Sequence, residues 1–301
     1  MIARAAAALA LAALACGERA DTERSDRPAL LPSMMQQSTN ADATPPSVPY
    51  SAATPRHVAR AVRRWPHDST AFTQGLLVHG GRLLESTGIE GRSDVREVER
   101  GTGRTLRRTE LPAKEFGEGI AVLGDRLYQL TWKSGRGRVY DARTLAPLGV
   151  FAYEGEGWGL ASDGASLYLS DGTSRVRVID PAGFRVVRTI QATEAGKPVY
   201  MLNELEWVRG ELWANVLPTD LVARIDPGDG RVLGWIDTGA LLTPAEREGV
   251  RARQGVANGI AFDAARGRVL LTGKLWPRLF EVELDGSSAA GPRSLGETRA
   301  R

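Results

Sequence analysis

Between residues 56 and 284, hydrophobic and polar positions alternate in short runs, and no sustained apolar period of the helical kind appears. Runs such as Gly81-Arg82-Leu83-Leu84-Glu85, Gly124-Asp125-Arg126-Leu127-Tyr128 and Arg177-Val178-Ile179-Asp180-Pro181 are strands bounded by Gly, Asp or Pro turns. The pattern predicts an all-β chain. Aligned on itself, it shows five versions of one unit, opening with Phe72-Thr73-Gln74-Gly75-Leu76, Phe116-Gly117-Glu118-Gly119-Ile120, Gly157-Trp158-Gly159-Leu160, Asn203-Glu204-Leu205-Glu206 and Asn258-Gly259-Ile260-Ala261. With Gly75, Gly119, Gly159, Leu205 and Gly259 taken as equivalent, the steps are 44, 40, 46 and 54 residues. A period in the forties with about four strands per unit predicts a five-bladed β-propeller. The fifth unit stops after Leu279-Phe280-Glu281-Val282-Glu283-Leu284, one strand short, and Val58-Ala59-Arg60-Ala61-Val62 precedes the first. Pairing that N-terminal strand with the last blade would close the ring and remove an exposed sheet edge. An Arg/Glu-rich insertion, Leu241 to Gln254, is expected to be helical.

The ends read differently. Residues 1–15 hold Arg4, then an Ala/Leu run ending Ala13-Leu14-Ala15, which fits a secretory signal and is too short to span a bilayer. The same residues admit cleavage after a small-x-small pattern or a lipoprotein-type cut leaving Cys16 lipidated, so membrane attachment is expected only through Cys16. Residues 16–55 are rich in Ser, Thr, Asp, Gln and Pro and are expected to be a disordered tether. The propeller is expected over 56–286 and a disordered tail over 287–301. The chain is thus expected to be exported, periplasmic or anchored in the envelope, and monomeric.

Composition narrows the chemistry. Lys plus Arg total 39 against 36 Asp plus Glu across 301 residues, and no basic block stands out, so nucleic acid is not an expected partner. One Cys and three His, all His lying between 57 and 79, exclude a Cys/His zinc cage. No nucleophilic triad or dinucleotide-binding glycine motif is visible. His67, in Trp65-Pro66-His67-Asp68, lies near the first-blade rim and reads as an ordinary turn histidine in preference to a site residue.

In a propeller the first strand of each blade lines the central channel, and the turns at its end converge on one rim. The repeat places Gln74, Glu85, Glu118, Trp132, Glu156, Trp158, Asn203, Glu204, Asn215, Asn258, Lys274 and Trp276 at that level. Polar lining can serve fit alone, and Trp in β-rich chains often belongs to the core. Glu118 is set apart because glycines on both sides leave its carboxylate unshielded.

Phe72-Thr73-Gln74-Gly75-Leu76, Glu85-Ser86-Thr87-Gly88, Phe116-Gly117-Glu118-Gly119, Gln129-Leu130-Thr131-Trp132, Glu156-Gly157-Trp158-Gly159, Leu202-Asn203-Glu204-Leu205-Glu206 and Asn258-Gly259-Ile260-Ala261 together resemble the plant-type and bacterial glutaminyl-peptide cyclotransferases. The resemblance covers nearly all of residues 56–284, in register in every blade. It implies a five-bladed propeller that converts the N-terminal glutamine of peptides or proteins to pyroglutamate with loss of ammonia. It also implies no metal and no cofactor. On that chemistry Glu118 is the expected proton shuttle and Glu85 the anchor of the α-amine. Lys274, with Gln74 and Asn203, would bind the developing oxyanion. Phe72, Trp132, Trp158 and Trp276 would box the curled side chain, with Glu204 and Asn258 as further substrate contacts. The alternative from another class is a non-catalytic envelope propeller that binds a peptide or small ligand at the rim.

Overall fold

The computed structural model describes residue 51 and residues 53–285; the expected signal, Cys16, most of the tether and the tail lie outside the described residues. Five antiparallel four-stranded units follow one another. The first is Thr73–His79, Arg82–Thr87, Asp94–Val98 and Thr105–Glu110, and the second runs from Gly117–Leu123 to Pro147–Ala152. The third spans Leu160–Ser162 to Arg185–Gln191 and the fourth Leu202–Val208 to Val232–Asp237. The fifth has three strands of its own, Ala257–Asp263, Arg268–Gly273 and Arg278–Leu284. Its fourth strand is Arg56–Pro66, which pairs antiparallel with Arg278–Leu284 from Ala59 onward. The first residues of Arg56–Pro66 also run parallel to the outer strand of blade 4, with Arg56 opposite Trp235. The N-terminal strand therefore closes the ring.

Each blade buries both faces of its inner three strands, and the resulting core is split into five clusters, one at each blade–blade boundary. Leu77, Leu84 and Val95 of blade 1 meet Ile120, Leu127 and Tyr140 of blade 2. On the other face of blade 1, Leu76, Leu83 and Val98 meet Ala261, Leu270 and Leu279 of blade 5. Consecutive Leu76 and Leu77 thus serve opposite neighbours, as strand alternation requires. The outer strands face water, and Arg185–Gln191 is exposed along most of its length.

One irregularity recurs and positions the site. The inner strands of blades 1, 2, 4 and 5 each carry one extra residue where they pair with their second strand. In blade 2 the register passes from Gly117 opposite Thr131 to Ile120 opposite Gln129, and in blade 4 from Leu202 opposite Val216 to Leu205 opposite Ala214. Such bulges bend the strand and re-aim its side chains. They also correct the sequence alignment by one residue in blade 4: Leu205 matches Ile120, so Glu204 stands in the row of glycines. The alignment slipped because blade 4 is the unit without a glycine there.

The glycines in this row are forced by close approach. A Cβ on Gly119 would lie 2.4 Å from the Leu160 nitrogen, and one on Gly159 would lie 2.0 Å from the Asn203 carbonyl oxygen. Glu204 instead reaches across the channel. Its carboxylate accepts from the Leu76 N–H of blade 1 at 3.2 Å and the Ile260 N–H of blade 5 at 2.9 Å. The insertion folds as a helix, α1 (Pro244–Ala252), capped by a reciprocal Thr243–Glu246 box and begun by Pro244.

Candidate active site

Immediately before the glycine row stands one residue from each blade: Gln74, Glu118, Trp158, Asn203 and Asn258. All five are buried. Gln74 joins its neighbours, donating from Nε2 to Glu118 Oε1 and accepting at Oε1 from Asn258 Nδ2, both at 3.4 Å. Asn258 Nδ2 also donates to the Thr73 carbonyl at 2.9 Å. The remaining polar atoms are left over. Glu118 Oε2, Asn258 Oδ1, and both Nδ2 and Oδ1 of Asn203 are buried without a hydrogen-bond partner. Unpaired buried polar atoms cost about 1–3 kcal/mol each, so a group of them in one tier is poised to hydrogen-bond a polar ligand.

Electrostatics single out two members. Burial pushes the Glu118 carboxyl well above its ordinary range, with Lys274 opposing the shift and Glu156 adding to it. Burial brings the Lys274 ammonium down to about 8 against the attraction of Glu118. Lys274 Nζ lies 4.9 Å from the centre of the Phe72 ring. A continuous aromatic wall runs on from there: Phe72 meets Phe116 edge-on at 6.1 Å, and Phe116 meets Trp132 at 5.7 Å. Glu156 then fixes two indoles at once. Its Oε2 accepts from Trp132 Nε1 at 2.8 Å and from Trp158 Nε1 at 2.9 Å.

The turn that carries Lys274 is held from several sides. Leu275 adopts a left-handed φ of 61°, a strained conformation for a branched residue. Its N–H donates to the Ala71 carbonyl at 2.8 Å, and its own carbonyl accepts from Arg253 Nη2, just past α1, at 2.9 Å. His67 completes the clamp, with Nδ1 2.8 Å from the Trp276 carbonyl and Nε2 3.0 Å from Glu85 Oε1.

Several expectations change on this geometry. Glu85 Oε1 is occupied by His67 and by Thr73 Oγ1 at 2.7 Å, so this buried carboxylate is a structural partner and not a free anchor for an amine. Glu204 is committed to two backbone amides beneath the tier. Trp276 packs in the core between blades 4 and 5, edge-on to Phe280 at 6.1 Å, outside the aromatic wall. His67 is buried and paired, not an ordinary turn residue. Glu118 is fully buried instead of standing bare at an open mouth. Phe116 and the clamp role of Glu156 were missed, although Phe-Gly-Glu-Gly and Glu-Gly-Trp-Gly flagged both segments.

The chain is similar in sequence and fold to known proteins. The family profile described as Glutamine cyclotransferase matches residues 30–284. A glutaminyl-peptide cyclotransferase from Arabidopsis thaliana is 43% identical over 230 residues, covering 76% of this chain and 72% of the plant protein. The crystal structure of Myxococcus xanthus glutaminyl cyclase superposes with a TM-score of 0.71 at 38% identity, covering 77% of this chain and 98% of that one. With the propeller, the tier and the motifs in register, the chain belongs to the glutamine cyclotransferase family.

Proposed function

We propose that the chain is a metal-independent glutaminyl-peptide cyclotransferase acting on peptides and proteins with an N-terminal glutamine. The observation that carries this reading is the group of unpaired buried atoms on Glu118, Asn203 and Asn258 beside Lys274 and the aromatic wall. Family membership and the relatives' activities support it.

The reaction forms a bond from the α-nitrogen to the side-chain Cδ and breaks the bond from Cδ to Nε2. One proton leaves the α-nitrogen and one reaches the departing nitrogen, so ammonia is released and nothing is consumed. The α-amine has an ordinary pKa of about 7.7–8.0, so a useful fraction is neutral near pH 7 without a strong base. Holding the flexible side chain curled is the larger task, since orientation alone can supply several kcal/mol. Phe72, Phe116, Trp132 and Trp158 do this by shape. Asn258 Oδ1 and Glu118 Oε2 accept from the amine, and Glu118 carries its proton to the leaving group. A carboxyl with a raised pKa suits both halves of that transfer. Lys274 Nζ and Asn203 Nδ2 stabilise the oxyanion.

Ammonia release from a Gln-initiated dipeptide, with Glu- and Asn-initiated controls, tests the proposal. A folded protein that binds the Gln peptide and releases no ammonia would instead establish the non-catalytic alternative. The expected export signal puts the substrates outside the cytoplasm, which fractionation and labelling at Cys16 would check.

A further inference from the structure

On the face that holds the site, over blade 1, lies a second concavity of about 460 Å³. It adjoins the substrate cradle through two residues. Phe72 lines both spaces, one ring serving the aromatic wall and the cleft. Gly88 lies between them: a Cβ there would be 2.3 Å from the Phe116 ring and 3.1 Å from the Gln74 side chain, so any larger residue would press into the cradle.

The far wall is a loop built under strain. Ile89 has φ 87°, an outlier for a β-branched residue, and it is held there because its carbonyl accepts from Ser93 Oγ at 2.8 Å and from the Arg92 N–H at 3.0 Å. Ser93 Oγ in turn accepts from the Gly117 N–H, next to Glu118, so this loop is tied to the catalytic strand. The charges around the cleft are mostly spent on one another. Arg96 is gripped by Asp94 at 2.7 Å and by Asp68 at 3.2 Å, and Arg108 pairs with Glu110 at 2.9 Å. Arg92 is the exception: it is exposed, and its guanidinium has no ion-pair partner among the described residues.

We infer that this cleft receives the peptide residues that follow the N-terminal glutamine, and that Arg92 there favours a substrate carboxylate. The inference rests on the cyclotransferase reading. A peptide whose first residue is curled in the cradle must leave it past the surrounding walls, and the cleft that shares Phe72 and Gly88 with the cradle offers that path. The carboxylate has two sources, an acidic side chain at the second or third residue, or the terminal carboxylate of a short peptide.

Steady-state kinetics on the full chain test this with glutaminamide, Gln-Ala-Ala-amide, Gln-Ala-Glu-amide, Gln-Glu-Ala-amide, Gln-Ala-amide and Gln-Ala with a free carboxylate. The amide-capped acidic peptides read the side chain, and free against amidated Gln-Ala reads the terminus. Carboxylate-bearing substrates are expected to show kcat/KM about 2- to 5-fold above their neutral counterparts, the size of an exposed ion pair. That preference should vanish in Arg92→Ala and reverse in Arg92→Glu, with glutaminamide turnover unchanged. Filling the cleft with Ala113→Trp should raise KM for the tripeptides but not for glutaminamide. Unchanged peptide selectivity in the Arg92 variants, or equal effects on glutaminamide and tripeptides, would overturn the cleft assignment. Failure of the unmodified protein to turn over glutaminamide and every Gln peptide would instead overturn the cyclotransferase reading, and this inference with it.

Discussion

Glu118 combines two conditions that a surface carboxylate never meets: one oxygen is tied to Gln74 and the other, fully buried, is bound to nothing. Replacing it with Gln keeps the shape and the bond from Gln74 within reach but removes the proton that the proposed mechanism transfers. Turnover of Gln peptides by Glu118→Gln should fall by about 100-fold or more. Stability should move the other way. A carboxyl whose folded pKa is raised above its ordinary 4.5 loses stability as pH rises through the folded value, and the Gln variant lacks that loss. Thermal melts above neutral pH are therefore expected to show Glu118→Gln at or above the unmodified protein. Asn203→Ala should lower kcat by about 10²- to 10³-fold if Nδ2 meets the oxyanion, and a rise in KM alone would show that it binds only the ground state. Most of these residues were legible in sequence because the strand repeat carries each of them to the same height on its blade. The role of Gln74 as a bridge between Glu118 and Asn258 was not, since it depends on side-chain directions set by the bulges.

At the level of elements, the contact between blades 5 and 1 carries the most chemistry. His67 and Glu85 form a buried pair that also holds the Trp276 carbonyl, and through it the Lys274 turn. Burial works against both charges. The Glu85 charge and bond nevertheless raise His67 above 6.5, and the His67 charge and bond, with Arg96 and Thr73, bring Glu85 below 4.5. The His67 contribution is complete below 6.5 and is lost as pH rises through its folded value. The Glu85 contribution is complete above 4.5 and is lost as pH falls through its own. The pair is thus strongest between 4.5 and 6.5. Glu85→Gln should destabilise by about 3–5 kcal/mol in that window, read by denaturant melts, because it strands the imidazolium. In blade 3, Glu156→Gln weakens the grip on both Trp132 and Trp158, so KM should rise more than kcat falls, with a change in near-ultraviolet dichroism. Strand order and the N-terminal closing strand were readable from alternation and turns, and the helical insertion from its Arg/Glu-rich composition. The misassigned Glu85 and Trp276 were not, because their partners lie across a seam between residues far apart in the chain, where local spacing says nothing.

Over the whole molecule, three glutamates of the inner strands, Glu118, Glu204 and Glu206, have raised pKa values. Burial and the nearby Glu206 raise Glu204 well above its usual range, partly offset by the Leu76 and Ile260 amides. Burial brings Glu206 to about 8, against the Phe262 amide. Both groups bind more protons folded than unfolded, so stability should decline as pH climbs from 4.5 toward 8, and Glu206→Gln should flatten that decline in melts across the range. Removing the acceptor by Glu204→Ala leaves two buried N–H groups unsatisfied and should cost about 1–3 kcal/mol for each.

The strand Arg56–Pro66 sits beside Arg278–Leu284, and the Val58 N–H donates to Asp285 Oδ1 at 2.6 Å, so the first and last strands meet. Every other blade assembles from hairpins adjacent in sequence, while this one waits for a loop of more than two hundred residues to close. The seam is therefore the expected slow step of folding, because the entropy of that closure is lost before its contacts form. A circular permutant with the two ends joined and new termini in the exposed turn at Ala195-Gly196, between blades 3 and 4, should refold faster at unchanged turnover, since all five blades then form from strands adjacent in sequence.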